Sequence, residues 1–217
     1  MSEALVDSLL MLTVIVSLFS LGTSAIKAII RATALQGVML SVLPLLMRGH
    51  FELHAFGIGL VSLVLKGVII PRLLLTAMSR ANVIREVEPM IGFGVSLFIG
   101  GILVAISFAF GQRLPLPARE GLPVYHLLVP CAFSTLLLGF LLLVSRTKAI
   151  TQVAGYIVLE NGVFLFGLAL VRELPFVVEL GVLLDVLVGV FIMGIVISQI
   201  NRTFDHIDTH AMTALKD

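Results

Sequence analysis

The chain has 217 residues, of which 59% are hydrophobic and 12% are charged, and its formal net charge is +1. A soluble domain of this length carries about a quarter charged residues, and the polar remainder here is too small to cover so much apolar surface. The composition therefore predicts an integral membrane protein. The near-neutral charge excludes a basic nucleic-acid surface. The single cysteine, Cys131, excludes an intrachain disulfide framework and a cysteine-held metal cluster.

The N-terminus reads Met-Ser-Glu-Ala, with a further acid at Asp7. Cleaved signal peptides begin with basic residues, so we expect the first apolar run to be retained as a helix. Seven apolar runs reach the length of about 20 residues that a transmembrane helix needs. Turn and charged residues separate them. The sequence thus predicts an all-α polytopic membrane protein with seven transmembrane helices, at residues 5–24, 29–48, 54–78, 90–111, 124–144, 150–171 and 177–199.

The distribution of Lys and Arg between the loops predicts the orientation. The side that holds the loop at residues 24–29 carries eight of them: Lys27, Arg31, Arg80, Arg85, Arg146, Lys148, Arg202 and Lys216. The opposite side carries four: Arg48, Arg113, Arg119 and Arg172. The first side is therefore expected in the cytoplasm. The chain would lie in the cell inner (cytoplasmic) membrane with its N-terminus outside and its C-terminus in the cytoplasm.

A weak internal repeat suggests two three-helix units. At an offset of 124 positions, residues 35–38 align with residues 159–162, and past a shorter loop Lys66 aligns with Asp185. The repeat predicts an N-terminal three-helix unit at 1–89, a fourth helix and outer loop at 90–123, and a second unit with a cytoplasmic tail at 124–217. Polar residues in seven apolar runs can also match by chance. A genuine repeat would be parallel, because an even number of spans separates equivalent helices.

Four apolar runs carry their most polar residue at a similar depth. Glu160 stands at the middle of the sixth run and Lys66 at the centre of the third. At the helical rise per residue, Asp185 lies about 4–5 Å from the centre of the seventh run, and Gln36 is displaced by a similar amount in the second. An isolated charge in hydrocarbon costs several kcal/mol, so ionisable residues within spans are functional candidates.

These residues predict movement of protons along the membrane plane. Desolvation shifts the pKa values of carboxylates and amines toward neutrality, and a group with a pKa near the working pH can both take up and release a proton. We therefore expect a proton path through Glu160, Asp185 and Lys66, with Gln36 and Tyr156, the latter one turn before Glu160. Two alternatives remain open. Lys66 could form buried ion pairs that only fix helix packing, or the chain could be an independent transporter.

The other polar residues suggest no catalytic chemistry. Arg72 lies near the cytoplasmic end of its span and is expected to snorkel toward the surface. Glu179 is expected to be hydrated at the outer end of the seventh span. His50, His54 and His126 fall at outer boundaries, where nothing in their spacing requires a metal. The sequence has no phosphate-binding loop, no cysteine cluster and no evident nucleophile–base pair. No cofactor, metal or catalytic residue is therefore expected in this chain.

Several segments resemble one known family. The run Tyr156-Ile-Val-Leu-Glu-Asn-Gly162, the downstream Val-Glu-Leu-Gly at 178–181, Asp185 and the ending Met-Thr-Ala-Leu-Lys at 212–216 resemble hydrogenase-4 component E (HyfE). Members of that family are membrane subunits of formate hydrogenlyase and related energy-converting nickel–iron hydrogenases. The last three spans are also similar to the K subunit of respiratory complex I (NuoK) and to MrpC of sodium/proton antiporters. Glu160 and Asp185 of this chain would match acids that those subunits hold within the membrane.

The first three spans depart from this pattern. Gln36 stands where the second helix of such a unit would hold its glutamate, and Lys66 replaces the acid of the third helix. The resemblance implies a non-catalytic membrane subunit of a complex-I-like hydrogenase that contributes to a lateral proton path. Its partners would be antiporter-like subunits, a membrane anchor, a hydrogenase arm with the nickel–iron site and iron–sulfur clusters, and the lipid bilayer, without nucleic acid. The alternative is a structural spacer held by buried ion pairs.

Overall fold

The computed structural model describes residues 2–47, 53–80, 89–111, 113, 126–170, 181, 183–192 and 194. The helices in these ranges are α1 (Ser2–Gly22), α2 (Ile26–Met47), α3 (Leu53–Val64), α4 (Ile70–Arg80), α5 (Phe93–Gly111), α6 (Leu128–Ser145), α7 (Ala149–Leu170) and α8 (Leu183–Ile192). Six helical segments are long and apolar enough to cross a membrane, with α3 and α4 contributing to a single one, Gly59–Arg80. The predicted all-α polytopic architecture is confirmed. The seventh predicted run lies only partly within the described residues, where it forms α8.

The third span contains a feature that the apolar pattern did not predict. Between α3 and α4 the chain forms a single π-helical turn at Leu65–Ile69, which includes Lys66. The flanking residues, Val64 and Ile70, both have α-helical dihedral angles, so the span continues without a break. A π turn widens the helix by one residue and is common at functional sites. The turn rotates the face that α4 presents relative to α3.

The closest helix contact joins α6 and α7. A Cβ atom added at Gly162 would overlap the backbone nitrogen of Leu136, so only glycine permits the two backbones to approach at this level. Small residues of this kind allow close packing between transmembrane helices, where dispersion contacts replace the hydrophobic effect as the driving force. The sequence Glu160-Asn161-Gly162 is therefore held firmly against α6.

Three buried apolar clusters lie among the described residues, and the two largest hold most of the helices together. The larger joins α1, α2, α6 and α7 through residues such as Leu10, Leu43, Leu138 and Leu165. The smaller brings α8 against α4 and α7 and includes Leu74, Ile157, Val188 and Ile192. Helix α5 packs at the edge of the bundle with much of its apolar surface exposed. In a membrane that surface would face lipid or another subunit.

Arg146 ties together the helix ends at the predicted cytoplasmic side. Its side chain is fully buried, and its guanidinium donates hydrogen bonds to the backbone carbonyls of Leu21 and Ile91. It also lies 4.5 Å from the ring centroid of Phe93, at cation–π distance. Arg146, which was counted among the loop charges that predict the orientation, thus joins the end of α1 to the start of α5 and to the α6–α7 connection.

Candidate functional site

The site is built around Lys66, which the π turn brings against α2. Its side chain is buried, with 4% of the residue exposed. On the facing side of α2, a Cβ atom added at Gly37 would lie 2.6 Å from the Cβ atom of Lys66. Glycine at this position therefore allows the π turn to approach α2, and the long aliphatic part of Lys66 extends from there toward α7.

Three side-chain oxygens surround the Lys66 ammonium group. Its Nζ donates to Asn161 Oδ1 at 3.0 Å and to Glu160 Oε1 at 3.3 Å. Asp185 Oδ1 lies 3.4 Å away, at ion-pair distance. An ammonium group has three N–H donors, so it faces as many acceptors as it can serve. The ring of Phe164 lies 5.6 Å from Nζ and covers one side of it. We call Lys66, Glu160 and Asp185 the charged cluster.

The charged cluster is buried, and it contains two acids but one base. Glu160 is 3% exposed and Asp185 is 1% exposed. With both carboxylates ionised, one ammonium leaves an excess of one negative charge, which is costly away from water. Within the described residues, Glu160 Oε2 and both carboxyl oxygens of Asp185 accept no hydrogen bond. One proton on either carboxyl group would neutralise the cluster, so the arrangement can hold one exchangeable proton between two acids.

A second group of polar residues continues from the charged cluster toward α1. Asn161 Nδ2 donates to Gln36 Oε1 at 3.2 Å. Gln36 Nε2 in turn donates to Ser17 Oγ at 3.0 Å and to the backbone carbonyl of Thr13 at 3.2 Å. We call Gln36 and Asn161 the amide bridge. Asn161 was missed by the sequence reasoning, although an amide beside Glu160 in the middle of an apolar helix was a visible signal.

The remaining predicted residues lie outside these contacts. Tyr156 is partly buried one turn before Glu160, and within the described part of the chain it makes no hydrogen bond to the charged cluster. It lines an apolar groove of about 590 Å³ between α7 and α8, together with Leu143, Gln152, Val188 and Phe191, among others.

Two further side chains near the third span are placed by the structure. Ser62, one turn before Lys66, accepts a hydrogen bond from Ser41 on α2 at 3.4 Å. Arg72 is exposed on α4, in keeping with a side chain that reaches outward. Glu179, His50 and the C-terminal tail fall outside the described residues. The charged cluster and the amide bridge therefore form the candidate site.

The helices are long enough to cross a bilayer, and they enclose a lysine between two buried acids. These features define a polytopic membrane protein that keeps ionisable groups inside the membrane. The chain is 31% identical over 195 residues to the uncharacterized protein Rv0085 of Mycobacterium tuberculosis, covering 88% of this chain and 87% of that protein. It is 26% identical over 214 residues to hydrogenase-4 component E of Escherichia coli K12 and of Shigella flexneri, covering 98% of this chain and 97% of theirs.

The chain belongs to the same family as Rv0085, and its similarity to hydrogenase-4 component E over nearly its whole length confirms the resemblance seen in the sequence. No family model matches the chain. No solved structure matches it either.

Proposed function

We propose that this chain is a non-catalytic membrane subunit of a hydrogenase-4-type complex, and that its charged cluster passes protons within the membrane part of that complex. The full-length similarity to proteins named hydrogenase-4 component E supports the assignment to such a complex. The single observation that carries the proton role is the position of Lys66 Nζ, 3.3 Å from Glu160 and 3.4 Å from Asp185.

The nearly equal distances suggest how a proton moves. When Asp185 carries the proton, Lys66 balances the charge of ionised Glu160, and when Glu160 carries it, Lys66 balances Asp185. The proton passes from one carboxyl group to the other while the ammonium stays charged, so no electron transfer is needed here. Each charge state stabilises the next, and the water-excluded site makes these interactions stronger than they would be in water.

The assembly and orientation of the chain are part of the proposal. The bias of Lys and Arg supports an inner-membrane location with the N-terminus outside and the C-terminus in the cytoplasm. The exposed apolar surfaces of α5 and α8 suit contacts with lipid, antiporter-like subunits and a membrane anchor. The nickel–iron site and iron–sulfur clusters belong to partner subunits. The division into units at residues 1–89, 90–123 and 124–217 is proposed on the sequence repeat.

Neutralising Glu160 tests the proton role. Glu160→Gln keeps the side-chain shape but removes the titratable group, and loss of a positioned proton-transfer group typically costs about 100-fold or more. We expect the complex to assemble on a native gel while coupled proton translocation falls by that order. The matched control is Arg72→Gln, which removes an exposed charge from the third span. Unchanged translocation in assembled Glu160→Gln complex would defeat the proposal.

A structural role is the second candidate, because the same ion pairs connect the third span to α7 and α8. A spacer predicts that Lys66→Glu prevents assembly and that adding Glu160→Lys restores both assembly and proton translocation. The proton role predicts that the swapped pair restores assembly but not translocation, because the acid and the base then stand on the wrong helices. Blue-native electrophoresis together with translocation measurements separates the two.

A further inference from the structure

We infer that the amide bridge, Gln36 and Asn161, fixes the Lys66 ammonium group and closes the charged cluster to protons on its α1 side. This inference rests on the proposed proton role. It assigns Gln36 a function different from the one expected from the sequence, where it was placed in the proton path. Both side chains of the bridge are fully buried.

The orientation of the two amides is set by their surroundings. If the Gln36 amide were turned around, its oxygen would face the carbonyl oxygen of Thr13, and two acceptors would meet. If the Asn161 amide were turned around, its NH₂ group would face the Lys66 ammonium, and two donors would meet. Each amide therefore has one favourable orientation, and Lys66 at one end and Thr13 at the other determine it.

The hydrogen bonds that run from Lys66 through the amide bridge to α1 all have the same direction. Lys66 donates to Asn161, Asn161 donates to Gln36, and Gln36 donates to Ser17 and to the Thr13 carbonyl. Ser17 Oγ also donates to the Thr13 carbonyl, at 2.9 Å. A proton leaving Lys66 in this direction would have to enter an amide oxygen, and neutral amides are not among the groups that titrate in proteins. The chain of groups also ends on a backbone carbonyl, which has no proton to release.

The amide bridge also holds the ammonium in place. The contact from Lys66 Nζ to Asn161 Oδ1, 3.0 Å, is shorter than either carboxylate contact. The Asn161 oxygen adds a neutral acceptor, so it stabilises the ammonium without a third negative charge. Within the charged cluster, Glu160 and Asp185 supply the carboxyl oxygens that accept no hydrogen bond from the described residues. Protons therefore enter and leave through these two acids, on the side away from α1.

The experiment places a titratable group in the amide bridge of the whole complex in native membrane vesicles. Gln36→Glu keeps the length of the side chain and adds a carboxyl group beside Asn161 and Ser17. We expect a several-fold faster collapse of an imposed pH gradient in the absence of turnover, and fewer protons translocated per catalytic turnover. Gln36→Met is the matched control, since it has similar size and no titratable group. Its passive leak should be several-fold smaller than that of Gln36→Glu, because it adds no group that can take up a proton.

Asn161→Asp is the second variant and should also raise the leak, because it opens the other half of the bridge. A leak in assembled Gln36→Glu or Asn161→Asp complex equal to that of Gln36→Met would overturn the inference. If Glu160→Gln abolishes translocation in the same vesicles, the proposed function still stands. If Glu160→Gln leaves translocation intact, the proposed function itself fails, whatever the leak measurements give.

Discussion

Lys66 in the third span donates its shortest hydrogen bond, 3.0 Å, to Asn161 on α7, a residue 95 positions further along the chain. This contact joins two groups of polar residues that differ in chemistry. On one side of it lie acids that can take up and release a proton. On the other lie amides and hydroxyls that do not titrate at ordinary pH. The site therefore has a titratable half and a neutral half, with Lys66 at their boundary.

Removing the Lys66 charge should destabilise the protein. Lys66→Met leaves Glu160 and Asp185 buried without their shared cation, and breaking a buried ion pair on one side typically costs about 3–5 kcal/mol. The thermal unfolding midpoint of the detergent-solubilised complex measures the effect. Adding Asp185→Asn to Lys66→Met should recover part of the loss, since it removes one of the two buried carboxyl groups that were left without a cation. Equal stability of the single and double variants would contradict the shared ion pair.

Asp185 on α8 should tolerate a longer side chain better than the loss of its carboxyl group. Asp185→Glu keeps a carboxyl group near Lys66, so partial proton translocation is expected. Asp185→Asn keeps the shape but cannot carry the proton, so translocation should fall by about 100-fold or more, as for loss of other proton-transfer groups. Translocation by complexes of equal abundance provides the comparison. The reverse order of the two variants would show that shape, rather than titration, matters at this position.

Gly37 should be intolerant of even a methyl group. Gly37→Ala would place a Cβ atom 2.6 Å from the Cβ atom of Lys66, and overpacking of this kind typically costs about 1–3 kcal/mol. A lower thermal unfolding midpoint and reduced translocation are both expected, because the π turn must move away from α2. Gly101→Ala on α5 is the control, since an added Cβ atom there meets nothing within 4 Å. Equal midpoints for the two variants would disprove the close approach.

Arg146 should require a guanidinium group. Arg146→Lys keeps the charge but cannot donate to both Leu21 and Ile91 while lying flat on the ring of Phe93. Hydrogen bonds from charged groups are worth about 1.5–3 kcal/mol each, so a clear loss of thermal stability is expected. Arg113→Lys changes an exposed arginine and should have little effect. A similar small change for both variants would mean that the buried contacts contribute little.

The sequence predicted the spans well but not the contacts between them. Length and hydropathy were sufficient to place helices such as Phe93–Gly111 within a few residues, and depth in the span singled out Glu160 and Lys66. The apolar pattern did not predict the π turn, which lies where Lys66 closely approaches Gly37 of another helix. Arg146 was read as a loop charge because its carbonyl partners come from distant helices.

The predicted repeat adds a further observation. It aligns Gln36 with Glu160 and Lys66 with Asp185. In the structure, Lys66 pairs with Asp185 itself, and Gln36 bonds to Asn161, the neighbour of Glu160. Corresponding positions of the two predicted units therefore contact each other or lie one residue apart. The sequence repeat could show which positions of the two units correspond, but it could not show that the side chains at these positions would contact each other. The unit boundaries themselves stay a prediction.

The backbone contact at Gly162 has a mechanical consequence. Because α6 and α7 touch there without intervening side chains, they resist separation, and Glu160 and Asn161 are carried by a stiff pair of helices. Asp185 is carried by α8, which packs on α4 and α7 through side chains such as Val188 and Ile192. A pull on α8 from a neighbouring subunit would stretch the Asp185 contact before the Glu160 contact. The contact between Lys66 and Asp185 would then be the more easily deformed of the two.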